Sequence, residues 1–185
     1  MKIKHIFTIG MLAGMSLQGM AHAQQSDGVI MSFGNRIPSK EDLGRIFMGP
    51  AQSPEGIQAK GIVQAQTRNK GKSFDIDLAF AFGSDTLSAK GQAQLAPIGE
   101  YLKAVKLNAG AVAIDSHMNG LGSSDFTNDL SLRRAQAIKG FLVSEYNLDP
   151  SVFVVAGLGK QQPKDKGNLA SEANRRIQFS VQIAN

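Results

Sequence analysis

Ser73-Phe74-Asp75-Ile76-Asp77-Leu78-Ala79-Phe80-Ala81-Phe82 alternates large apolar side chains with small or acidic ones. A period of two marks a strand with one face against a core. Asp75 and Asp77 fall on the opposite face, where a solvated surface is expected rather than a pair of catalytic carboxylates. Gly83-Ser84-Asp85 turns the chain, and from about Ser88 the period lengthens. Leu95, Ile98, Leu102 and Val105 then line one side of a helix, in which Pro97 removes a backbone donor and predicts a kink. A second strand is predicted from Ala111 to about His117, followed by a Gly- and Ser-rich loop from Asn119 to Ser124. The longest helix spans about Asp125 to Tyr146 and ends at Asn147 and Pro150. Ser151 to Ala156 read as a third strand and Gly157 to Ala173 as a loop. The last strand, Arg175 to Ile183, alternates Ile177, Phe179, Val181 and Ile183. Strands alternating with helices predict an α/β or α+β sandwich with its helices on one face of a sheet.

Upstream of this block the chain changes character twice. Lys2 and Lys4 head an uncharged, mostly apolar stretch from Ile6 to Met20, and Ala21-His22-Ala23 has the small-x-small pattern of a cleavage site. That stretch is shorter than the roughly 20 residues a membrane-spanning helix requires. Residues 1–23 are therefore expected to be a secretory signal, leaving no transmembrane segment once removed. The signal takes two lysines and no acid with it, so the net charge of +5 falls to +3. So small and scattered a charge is a solvated surface and not a nucleic-acid footprint. Residues 24–72 carry Pro38, Pro50, Pro54 and several glycines, and read as a flexible approach to a domain over 73–185. One short helix is predicted within them. Ser39 caps it with Asp42 three residues on, Leu43, Ile46 and Phe47 form its apolar face, and Gly49-Pro50 stops it. A helix that brief must dock on something to persist.

The 185 residues include no cysteine, which excludes thiol nucleophiles, disulfides, Cys-ligated zinc and attachment of lipid to an N-terminal Cys. His117 is the one histidine after the signal, too few for the common metal sites. On a strand end it reads as a satisfied structural residue. No Gly-x-Ser-x-Gly elbow appears, and Gly157-Leu158-Gly159 is too short for a dinucleotide fingerprint. Neither catalysis nor a cofactor is called for.

The long helix holds one unusual residue. Phe126, Leu130, Ala137, Ile138, Phe141 and Leu142 form its apolar stripe, and Arg134 falls near the middle of it. A guanidinium laid on a core face needs an anion, because a buried unpaired charge is very costly. A snorkelling side chain, or an internal pair with Asp85 or Asp115, would satisfy this. So would a cleft in which the arginine receives a ligand carboxylate in bidentate geometry. Periodicity leaves both readings open.

Five spaced elements together resemble the OmpA-like C-terminal domain family. Leu130-Ser131-Leu132-Arg133-Arg134-Ala135 and Asn174-Arg175-Arg176-Ile177 are similar to its paired signature. Phe80-Ala81-Phe82-Gly83-Ser84 followed by Leu87 resembles its F-x-F-D-S…L turn, and Ile114 to Asn119 its I-x-G-H-T-D strand end. Gly157-Leu158-Gly159 and Pro163 fit its Gly-x-Gly…Pro loop. The resemblance implies a β-α-β-α-β-β sandwich of class α+β, with helices packed on one face of a mixed four-stranded sheet. It also implies noncovalent binding of peptidoglycan through the diaminopimelate residue of the stem peptide, whose ammonium and carboxylate lie a few ångströms apart. In the family an Asp takes the ammonium and the second Arg of the helix motif takes the carboxylate. Carried over, that arginine is Arg134 and Leu130 is the apolar wall. The ammonium-binding Asp is Asn119 here, the Asp of the first turn is Gly83, and Met118 replaces the usual Thr. The expectation is an exported domain at the periplasm or the periplasmic face of the outer membrane of a Gram-negative cell, binding diaminopimelate through Arg134, Asn119, Leu130 and Gly83. The alternative is a degenerate domain that docks another envelope protein, with the short helix of the N-terminal segment offering the contact.

Overall fold

Phe74 and Ile76 point into a core that the rest of the chain assembles around them. In the computed structural model, which describes residues 31–48 and 72–183, both are fully buried. The expected signal and the Gly49-Pro50 helix stop lie outside the described residues. The elements follow in the order β1 (Met31–Ser32), α1 (Lys40–Met48), β2 (Lys72–Ile76), α2 (Ala89–Ala104), β3 (Val112–His117), α3 (Ser124–Tyr146), β4 (Phe153–Gly159) and β5 (Arg176–Val181). They build a mixed sheet in the order β1-β2-β5-β3-β4. β5 runs antiparallel to both β2 and β3, while β1–β2 and β3–β4 are parallel pairs. The fold is α+β as expected, but with five strands instead of four. The extra strand, β1, is two residues long and so has no alternation for a sequence reading to detect.

Residues 31–48 are not a loose tether. Phe33, Leu43 and Phe47 are buried in the same core as the sheet. Phe33 and Phe47 set their ring edges against Phe74 at 5.4 and 5.9 Å, and Phe74 stacks on Phe179 at 5.1 Å. The cap of α1 is the reciprocal one expected: the Asp42 amide donates to Ser39 Oγ at 3.1 Å and the Ser39 amide to Asp42 Oδ2 at 3.0 Å. The apolar face of the short helix is therefore covered by its own domain.

Other boundaries move for local reasons. β2 stops at Ile76 instead of continuing to Phe82. Beyond it Leu78 stays buried, Phe80 keeps a single bridge to Leu87, and Phe82 is fully exposed. α2 begins at an N-cap in which the Gly91 amide donates to Ser88 Oγ, and it runs through Pro97. α3 ends at Asn147, in the left-handed region at φ 53°. β4 starts later than expected and absorbs Gly157-Leu158-Gly159, which had read as loop. A Cβ on Gly157 would stand 2.3 Å from the Leu132 backbone nitrogen, so glycine there lets β4 press against α3. The Gly159 amide donates to Ser131 Oγ at 3.0 Å across the same contact. This tightness turns α3 slightly: Thr127, Ser131 and Ala135 are buried beside Leu130, Ile138 and Leu142, whereas Phe126 is half exposed.

The second face of the sheet is polar but not fully solvated, which corrects the reading of Asp75. Asp75 is 2% exposed, and its Oδ2 lies 2.9 Å from Lys164 Nζ and 3.5 Å from Arg176 Nε. The loop from β4 to β5 folds back over this face and brings Lys164 with it. Alternation identifies the face of a strand but not what later covers it.

Candidate functional site

Arg134 leaves the buried side of α3 and enters a pocket of about 660 Å³. The turn after β2 supplies Phe80 and Gly83, the end of β3 supplies Met118 and Asn119, and α3 supplies Leu130 and Arg134. All four residues expected to bind, Arg134, Asn119, Leu130 and Gly83, thus line one opening. Asn35, from the N-terminal segment, lies on the far wall. Gln94, fully buried in α2, clasps these segments together. Its Oε1 accepts from the Ala79 amide, and its Nε2 donates to the carbonyls of Asn35 and Asp77, all at 3.0–3.1 Å.

The guanidinium of Arg134 is held without being neutralised. Nε donates to the Ser84 carbonyl at 2.9 Å, and Nη1 meets Met118 Sδ at 3.3 Å. The ring of Phe80 lies beneath, 4.7 Å from Cζ. No carboxylate of the described residues comes within 4 Å of it. The internal acids proposed as partners are engaged elsewhere: Asp85 pairs with Arg133 at 3.2 Å, and Asp115 lies on the far face of the sheet beside Arg176. Burial, with the Arg175 charge behind it, pulls the basicity of Arg134 below that of an ordinary arginine, while Asp85 and Asp77 oppose the shift. An arginine stays cationic through such a shift. With the N–H of Nε given to Ser84 and one of Nη1 to Met118, three of the five guanidinium N–H donors have no partner among the described residues.

Asn119 is 7% exposed, and its amide has no hydrogen-bond partner among the described residues. Leu130 is buried to 1% and forms an apolar floor. Gly83 adopts φ 64° in the turn, a conformation glycine enters without cost, and open space surrounds the position its Cβ would occupy. Three further wall residues were not singled out from sequence: Lys90, Glu172 and Arg175. Arg175 bridges Glu172 at 2.6 Å and Asp77 at 3.6 Å. Arg175 had been quoted as part of a motif, but it sits in a loop where no periodicity indicates direction.

Behind the pocket lies a second polar group. His117 is 1% exposed, and neither ring nitrogen has a hydrogen-bond partner among the described residues, so it is buried as expected but not satisfied. Burial, reinforced by the Arg176 charge and opposed by the neighbouring Gln178 side chain, pushes its pKa down to about 4. The ring is therefore neutral near pH 7. Among the described residues no group of His, Asp and Glu could hold a metal ion, and no helix is long and apolar enough to cross a membrane.

Comparison with known proteins agrees with this architecture. A model of the OmpA family matches residues 79–176, more than half of the chain. Outer membrane protein A of Bordetella avium is 26% identical over 179 residues, 91% of either chain. Outer membrane protein A of Shigella flexneri is 25% identical over 146 residues, 77% of this chain but only 41% of that protein. The OmpA-like domain of FopA1 from Francisella tularensis superposes with a TM-score of 0.50 at 20% identity, covering 72% of this chain and 99% of that one. The matched span runs from the turn under Arg134 to the loop that carries Arg175, and the chain belongs to the OmpA family.

Proposed function

We propose that this domain binds peptidoglycan noncovalently in the periplasm of a Gram-negative cell, with Arg134 receiving the carboxylate of the diaminopimelate residue. The observation that carries the reading is Arg134, a residue only 8% exposed, whose guanidinium lines a pocket and has no acid of the described residues within 4 Å. A desolvated cation of this kind gains more from an arriving carboxylate than a solvated one would. The N–H donors left on Nη1 and Nη2 supply charge-assisted hydrogen bonds to an arriving carboxylate. Leu130 supplies apolar contact to the ligand's alkyl chain, and Asn119 and the Gly83 turn close the opposite side. Nothing in this scheme requires a bond to be made or broken; the protein works as an anchor.

A charge-assisted hydrogen bond contributes roughly 1.5–3 kcal/mol, so Arg134→Ala should weaken binding by about 10- to 100-fold. Protein lacking residues 1–23 should co-sediment with purified sacculi, and Arg134→Ala should leave most of it in the supernatant. The second reading, a domain that docks another envelope protein, is favoured by Asn119 and Gly83, which bring no carboxylate to the pocket. If wild type stays in the supernatant and Asn119→Asp brings it down, that second reading replaces the first.

A further inference from the structure

The acids on the pocket wall are already committed. Asp77 and Glu172 share Arg175, and Asp85, beyond the rim, pairs with Arg133. Two cations of the wall, Arg134 and Lys90, have no acid within 4 Å among the described residues. A free diaminopimelate end would bring an ammonium into this surplus of positive charge. Asn119 could offer it an amide oxygen but no compensating charge, and Asp77 and Glu172 already face Arg175 in partly exposed pairs. The like charges of Arg134 and Lys90 oppose it directly.

An acylated amine removes the conflict. It is neutral, and its N–H can donate to Asn119 Oδ1 while its carbonyl, which points the opposite way in a trans amide, is directed away from Asn119. The carboxylate on the same carbon remains free for Arg134. The acyl group then needs room and an apolar surface, and both are present. The pocket holds about 660 Å³, within the range of sites that enclose whole small ligands. Phe82, Leu121 and Phe126 stand on its rim with relative exposures of 106%, 62% and 51%. Exposed apolar side chains gathered at a pocket mouth mark a contact surface.

We propose that this pocket selects diaminopimelate whose side-chain amine is acylated, as it is where two stem peptides are cross-linked, over the free zwitterionic end. The inference rests on the peptidoglycan reading above and names the form of the ligand within it. Asn119 is the residue that sets the preference, by offering an uncharged acceptor to a neutral N–H, and Arg134 is the anchor common to both forms. The rim accepts the methyl group and backbone of the acylating residue.

Calorimetric titration of the purified protein with two synthetic stem tripeptides tests this. One has the diaminopimelate amine free, and the other has it acylated by N-acetyl-D-alanine. The acylated peptide should bind at least tenfold more tightly to wild type, and Asn119→Asp should shift the preference toward the free amine. Equal binding, or tighter binding of the free amine by wild type, overturns the proposal and leaves the peptidoglycan reading standing. Failure of both peptides to bind overturns the proposal and the peptidoglycan reading together.

Discussion

His117 and Arg134 are both buried polar side chains, and opposite needs are written into their surroundings. Arg134 is charged and lacks an acid among the described residues, so it awaits an anion. His117 is neutral and lacks hydrogen-bond partners, so it resists a proton. The usual histidine pKa of 6.5 is pushed down to about 4, so the unfolded chain binds more protons than the fold between those values. Stability contributed by keeping the ring neutral is complete above about pH 6.5 and is lost as the pH falls toward 4, by about 3 kcal/mol in all. Asp115, whose carboxyl burial pushes up against the pull of Arg176, acts in the opposite sense, favouring the fold as the pH falls through its raised pKa. Urea unfolding of wild type should therefore show a falling midpoint from pH 7 to pH 4, and His117→Gln should flatten that fall. A wild-type midpoint unchanged over this range would contradict the buried neutral ring. From sequence, the burial of His117 could be inferred from its place at a strand end. Its lack of partners could not, because those depend on which side chains of β5 and the following loops reach it.

At the scale of elements, the strands and helices were legible wherever a period persisted. The alternation at Phe74 and Ile76 and the stripe on α3 placed the core correctly. Reading failed where a chain segment is covered by something distant in sequence. Asp75 alternates like a surface residue, yet Lys164 and Arg176 enclose it. Phe80 and Phe82 alternate like core residues, yet the chain has left the sheet by then, and Phe80 keeps only a bridge to Leu87. The N-terminal segment is the clearest case. Its prolines and glycines suggested a tether, while the cap at Ser39 and the face of Leu43 and Phe47 revealed a helix in need of a surface. That surface is the sheet, since Leu43 is fully buried. Leu43→Ala should cost about 2–5 kcal/mol of global stability, as a large-to-small change in a packed core does. Thermal unfolding checks this: a loss below about 0.5 kcal/mol, the level of a surface substitution, would show that the segment is peripheral.

At the scale of the whole molecule, the pocket is a product of topology. Its walls come from the N-terminal turn, the exit of β2, the end of β3, the start of α3 and the approach to β5, and Gln94 joins the first two of these. The family resemblance located Arg134, Asn119, Leu130 and Gly83 before any coordinates, and the fold gathers them. It did not reveal that the wall acids are consumed by Arg175, because ion pairing within a loop leaves no mark in spacing. A pocket with a free guanidinium, an uncharged amide and an apolar rim is suited to holding a carboxylate. Its most direct test is to watch that guanidinium. In nitrogen-15 NMR of the arginine side chains, addition of stem peptide should shift the Arg134 Nη resonances saturably and slow their exchange with water, and Arg134→Lys should abolish the response. If those resonances stay unmoved while the protein still sediments with sacculi, the ligand is held elsewhere and Arg134 is not its anchor.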